Sequence, residues 1–171
     1  MVSVNFLQSH SLFGGLHETE LGTVLPLMEK EEYGEGEWVV REGEQGDRFY
    51  FILEGRVEVL KETKKGDARN TYRLAELGPG STFGEMELID IQARSASVRA
   101  LESMSALTLT NMNLYRLYQK DAAVYGRILL NLAREISRRL RQMNEKAGTL
   151  ESACELLSRN PSPEEDPGEG D

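Results

Sequence analysis

A chain of 171 residues with 39% apolar side chains can bury one ordinary core, which excludes a wholly disordered protein. No apolar run approaches the roughly 18 residues of a membrane span. The opening MVSVNFLQSHSLFGG has no basic stretch ahead of an apolar one, so neither a span nor a secretory signal is expected. A net charge of −9 gives no bulk field for nucleic acid or anionic lipid, and one cysteine with two histidines argues against a disulfide or a zinc site. A cytoplasmic chain without cofactor or metal is the expectation.

In chain order, Leu12 to Met28 reads as a turn and then a helix. Leu16, Leu21, Val24, Leu25 and Leu27 recur near helical spacing, and Pro26 marks an end or a bend. His10 and His17 are expected at the surface beside it. From Tyr33 the period changes. Trp38-Val39-Val40, Arg48 to Leu53, Val57 to Leu60, Tyr72 to Leu77, Ser95 to Leu101 and Ala106 to Thr110 read as short strands, with GEQGD, KKGDAR and Gly78-Pro79-Gly80 as turns. Phe49, Tyr50 and Phe51 read as core. Many short strands between glycine-rich turns argue a barrel, roll or sandwich.

After Asn111 the pattern turns helical, with Leu114, Leu117 and Tyr118 on one face. A longer helix is expected from about Asp121 to Lys146, stopping at Gly148 and followed by a short helix to about Arg159. Its apolar positions Tyr125, Leu129, Leu132, Ile136, Leu140 and Met143 lie close to a heptad seam, which suits packing on the domain, pairing with a second copy, or both. Arg134, Arg138, Arg139, Arg141 and Lys146 read as a solvated face suited to a helix C-terminus, with a partner-binding basic patch as the alternative. Pro161 to Asp171 is acidic, proline-rich and almost without apolar residues, the composition of a disordered tail.

The segment FGEMELID, Phe83 to Asp90, followed by Arg94-Ser95-Ala96-Ser97-Val98, carries the chemistry. Gly78, Gly80 and Gly84 permit tight turns and close approach of a ligand. The first N–H groups of a short helix from Glu85 lack internal partners and suit an anion. The planar fork of Arg94 can take two phosphate oxygens, and Ser95 adds a hydroxyl and an N–H. Glu85 is odd in a pure phosphate cradle, but makes sense if the ligand also offers a sugar hydroxyl. Phosphate with a ribose hydroxyl is a nucleotide.

FGEMELIDIQARSASV resembles the phosphate-binding cassette of the cyclic nucleotide-binding domain family, and the likeness extends over most of the chain. FGGLHETEL resembles the family's helical lead-in, GEWVVREGEQGDRFYFILEGRVEV its first strands, and RRLRQMNEKAG the helical end of catabolite activator protein-like sensors. The resemblance implies a mainly β protein, an eight-stranded antiparallel β-roll with flanking helices. The divisions become a helical segment over 1–30, the roll over 31–110 with its cassette at 83–98, hinge and lid helices over 111–148, a short helix over 149–160 and the tail over 161–171.

The resemblance also implies roles. Backbone N–H groups of Gly84, Met86 and Ser95, with Ala96 beside them, would hold the cyclic phosphate. Arg94 would neutralise its charge. Glu85 would accept from the ribose 2′-hydroxyl and steady Arg94. Phe83 and Val98 would pack beneath, and Leu88 and Ile89 would press on the hinge. Asn144 would reach the purine from the long helix, where its neighbour Met143 cannot. Three departures stand out. Glu87 replaces a small residue, and a carboxylate about 4 Å from a phosphate is repelled by about 1 kcal/mol in water and about 4 at an effective dielectric of 20. Ala93 replaces a frequent proline. Ser95 tilts the expected ligand toward cyclic AMP rather than cyclic GMP.

The function expected is a cyclic nucleotide-responsive regulatory protein, a homodimer or bound to another protein partner. The alternative is a roll that binds nothing, with Glu85 and Arg94 as a structural ion pair, acting as an interaction or dimerisation module. A DNA-binding domain is not expected in the few residues after Lys146. Nor is an enzyme: no His-x-His metal cluster or nucleophile–base pair is visible, and Cys154 has no nearby histidine.

Overall fold

The computed structural model describes residues 4–65, 68–90 and 92–159. The acidic tail, the tip of the KKGDAR hairpin and Ile91 lie outside them. Contacts divide the chain into two units, 1–132 and 133–171.

In the first unit, helix α1 (Val4–Gln8), a 3-10 turn (Ser11–Phe13), helix α2 (Glu18–Val24) and a second 3-10 turn (Leu25–Leu27) lead into strand β1 (Glu29–Tyr33). Strands β2 (Trp38–Val40), β3 (Arg48–Glu54), β4 (Val57–Lys65), β5 (Ala68–Leu77) and β6 (Thr82–Phe83) follow. After them come helix α3 (Glu85–Ile89) and strands β7 (Ser97–Ala100) and β8 (Met104–Thr110). Helices α4 (Asn111–Lys120) and α5 (Ala122–Arg159) close the chain. The eight described strands form two four-stranded antiparallel sheets, ordered β1-β8-β3-β6 and β2-β7-β4-β5. This is the expected roll with flanking helices.

Strand β3 explains why Phe49 to Leu53 is continuously apolar. Phe49 and Phe51 point into a cluster with Leu7, Phe13, Leu21, Leu117 and Ile128, between the first sheet and the helices. Tyr50 and Ile52 point the other way, into a cluster with Val40, Val57, Phe83, Val98 and Ala106 between the sheets. Side chains alternate across a strand, so a strand buried on both faces must be apolar at every position. Burying each such side chain contributes roughly 1.5–3 kcal/mol.

Several expectations are refined. The turn and helix expected within Leu12 to Met28 are present, and the helix ends before Pro26, which lies in the second 3-10 turn, where its fixed φ suits the first helical positions. The start of α2 is tied by Glu20, whose carboxylate accepts the His17 N–H at 2.7 Å. Strand β1, EKEEY, pairs along β8 although four of its five residues are charged. It lies at a sheet edge, where charged side chains are ordinary. His10 is not a free surface residue. Its ring meets Phe6 and Phe51 edge-on at 4.7 and 5.0 Å, and its Nε2 is buried without a hydrogen-bond partner.

The first part of the expected seam on α5 packs on the domain, with Leu132 at its centre and Val124 and Ile128 beside it. These three belong to the first cluster, while Tyr125 and Leu129 are only partly buried against it. Asn131 fixes this face by donating from Nδ2 to the carbonyls of Leu12 and Gly14. Gly148 does not stop the helix, and 149–159 continue α5 to Arg159 rather than forming the separate short helix expected there. A single helical glycine costs about 1 kcal/mol relative to alanine, which good helix formers on either side can absorb. The described part of the second unit, 133–159, is helix throughout.

At Gly55 the backbone is left-handed, with φ +78°, and an added Cβ would lie 2.5 Å from the Ser103 carbonyl oxygen. Gly55→Ala should therefore lower the unfolding free energy by more than about 1 kcal/mol in chemical denaturation. Burial lowers the pKa of His10 from 6.5. The unfolded chain then takes up a proton near 6.5 that the folded chain refuses until a lower pH. Stability is intact above about 6.5 and declines as pH falls toward the folded pKa. Thermal melts across this window should show that decline diminished in His10→Phe.

Candidate functional site

The cassette is set by strand pairing. Tyr50 pairs with Phe83 and Phe51 with Thr82, so β6 delivers Gly84 against the first residues of β3. Gly84 adopts φ +77° and opens α3. A Cβ there would lie 2.6 Å from Arg94 Nη1 and 2.8 Å from the Arg48 carbonyl, so glycine is required by conformation and by space.

Arg94 is held from both ends. Its N–H donates to the Glu44 carbonyl at 2.8 Å and its carbonyl accepts from Gly43 N–H at 2.9 Å, while Gln45 and Ala93 form an isolated bridge. The residue before Arg94 thus lies extended without the expected proline. The guanidinium donates to the Arg48 carbonyl at 3.0 Å and lies 5.7 Å from the Tyr50 ring centre. Burial pushes the Tyr50 phenol up, so this neighbour is uncharged at neutral pH. Tyr50 itself stacks on Phe83 at 4.6 Å.

Both cassette glutamates turn inward. Glu85 accepts from Thr82 Oγ1. The Glu87 carboxylate lies 3.4 Å from Arg94 Nη1, each side chain being about 5% exposed. It faces the arginine rather than solvent.

Among the other expected residues, Ser95 is exposed and its carbonyl accepts from Lys61 Nζ at 2.7 Å. Ala96 is partly buried. Phe83 and Val98 lie together in the inter-sheet core, as expected. Leu88 lies in the buried cluster that also holds Leu114 and Leu117 of α4, whereas Ile89 is exposed. Asn144 lies in the second unit, with an exposed side chain.

Sequence reasoning missed the loop that grips Arg94. Gly46 is its tightest point: a Cβ there would lie 2.7 Å from Glu87 Cγ and 2.8 Å from Arg94 Nε. It also missed Asn111, which joins the cassette to α4 by donating to the Glu87 carbonyl at 3.3 Å. Its N–H donates to the Asp47 carbonyl at 2.8 Å. The glycine-flanked GEQGD signalled a turn, but nothing in it pointed to residue 94. Among the described residues there is no cluster suited to a metal ion, and no helix is long and apolar enough to cross a membrane.

Comparison with known proteins agrees with this geometry. The chain is 33% identical over 112 residues to the cAMP-dependent protein kinase regulatory subunit of Dictyostelium discoideum, a match covering 66% of this chain and 34% of that protein. It is 36% identical over 99 residues to human cGMP-dependent protein kinase 2, covering 58% of this chain and 13% of the kinase. The crystal structure of Thermus thermophilus catabolite activator protein superposes with a TM-score of 0.72 at 30% identity, over 82% of this chain and 63% of that one. The chain thus spans less than two thirds of each of these proteins. Residues 30–121, more than half of the sequence, match the family described as Cyclic nucleotide-binding domain, and the chain belongs to that family.

Proposed function

We propose that the chain is a regulatory module that binds a cyclic nucleotide, preferring cyclic AMP, and works by binding rather than catalysis. The observation that carries this reading is the fixed place of Arg94. Two backbone hydrogen bonds and the Arg48 carbonyl hold it against Gly84, beside the first turn of α3. A guanidinium so held suits a phosphate diester, and Glu85 at the same turn suits a ribose hydroxyl. Related proteins of both cAMP- and cGMP-dependent kinases match this chain, so the preference for cyclic AMP rests on Ser95. A cytoplasmic location belongs to the same reading.

The output we infer is movement of the terminal helices. Leu88 shares a buried cluster with Leu114 and Leu117, and Asn111 holds the Glu87 carbonyl, so a shift of α3 would act on α4. The break between α4 and α5 is capped by Asp121, whose carboxylate accepts from the N–H groups of Ala123 and Val124. Asn144 would contact the purine. The partner we infer is a second copy of the chain. Ile136, Leu140, Met143, Ala147, Leu150 and Cys154 recur at alternating steps of four and three, a coiled-coil seam on α5. In a parallel pair, Lys146 of one copy faces Glu151 of the other, which favours that orientation.

A second reading, a roll that binds nothing and serves as an interaction module, is favoured by one observation. Glu87 already supplies Arg94 with a negative charge.

Titration calorimetry with cyclic AMP and cyclic GMP separates the two. Binding is expected, tighter for cyclic AMP, and Arg94→Ala should weaken it by roughly tenfold or more, the scale of a charge-assisted hydrogen bond. No heat with either nucleotide up to about millimolar, where binding energy is only about 4 kcal/mol, would favour the second reading. Sedimentation equilibrium should give a dimer that Leu140→Asp converts to monomer; an unchanged mass would remove the coiled-coil pairing.

A further inference from the structure

Helix α3 is inside out. In EMELI the apolar Met86 and Ile89 are 61% and 54% exposed, whereas Glu85 and Glu87 are buried. A five-residue helix with this composition would by default bury its apolar members and solvate its carboxylates. Burying two carboxylates requires partners that compensate for lost hydration. Thr82 is a partner of Glu85, and Arg94 is the partner of Glu87. The loop backbone closes on the second pair so tightly that only a glycine fits at position 46.

This has a direct consequence for an anionic ligand. Arg94 carries one positive charge, and Glu87 balances it with both side chains almost wholly buried. The same guanidinium cannot be fully balanced twice. A phosphate monoanion drawn to Arg94 meets a like charge on Glu87 in surroundings that screen poorly. The helix is anchored by Leu88 in the core and by Asn111 on the Glu87 carbonyl. The freedom to relieve the conflict therefore lies in the Glu87 side chain.

We propose that Glu87 is a built-in competitor for the phosphate of the ligand: a cyclic nucleotide binds by displacing its carboxylate from Arg94, and this displacement sets the affinity. The inference rests on the cyclic nucleotide reading given above. The residue is not needed to hold the ligand; its removal strengthens binding. The site is accordingly tuned to respond only at high nucleotide concentration.

The test is calorimetry of the full chain with cyclic AMP and cyclic GMP, on wild type, Glu87→Gln, Glu87→Ala, Arg94→Ala and the double variant Glu87→Ala with Arg94→Ala. Melting curves would establish that each is folded. Glu87→Gln keeps the shape of the side chain and removes its charge, so it preserves the test if Glu87→Ala is unstable. Both Glu87 variants are expected to bind at least roughly tenfold more tightly than wild type, and the double variant no more tightly than Arg94→Ala alone. A merely structural role for Glu87 would not make its gain depend on Arg94. If the Glu87 variants bind no more tightly than a wild type that does bind, the competitor is refuted while the cyclic nucleotide reading stands. If no variant binds up to about millimolar, that reading fails and this inference falls with it.

Discussion

A guanidinium can be buried in a β-roll only with a counter-charge and hydrogen-bond acceptors around it, and Arg94 imposes that condition on every element nearby. The Arg48 carbonyl meets part of it from β3, the Glu87 carboxylate meets the charge from α3, and the loop before β3 seals both. Gly46 and Gly84 are bare because the arginine passes through the space a Cβ would take. Two short, irregular segments become ordered because each supplies what the other lacks. The short helix would not stand alone, since a single turn and a half is far below the length at which helices are stable in water.

The charge arrangement also separates fold from ligand. Replacing a carboxylate by a phosphate at Arg94 would exchange one negative partner for another. The roll therefore remains electrostatically complete in either condition. On the proposed reading the cassette would be an exchange site, in which an internal group and an external one contend for the same cation. Such competition would adjust affinity without altering the proposed ligand-recognising groups, because backbone N–H groups and Glu85 are outside the exchange.

Much of this was legible in the sequence where local pattern and chemistry coincide. Phe49 to Leu53 is apolar at successive positions and Ala106 to Leu109 is apolar but for Thr108, and both lie in strands covered on both faces. FGE followed by Arg-Ser at fixed spacing marked the cassette because glycine, carboxylate and guanidinium are each demanding residue types. Strand β1 was hidden because EKEEY has no apolar alternation; its pairing with β8 is a property of the partner strand. Strand β6 was hidden by its two-residue length. The continuation of α5 through Gly148 shows that a weak helix breaker can be outvoted by its neighbours. His10 looked like a surface residue because its burial depends on Phe51, distant in sequence. The inward turn of Glu87 depends likewise on tertiary pairing, which no local rule reports.

Strand β3 belongs to two cores at once. Phe49 and Phe51 face the helices, and Tyr50 and Ile52 face the second sheet. Because adjacent residues share one rigid backbone, a volume change tolerated by one layer is felt in the other. Substitutions in the helical layer and in the floor beneath Arg94 are thereby linked: during sequence drift, neither side of this shared wall can be remodelled independently.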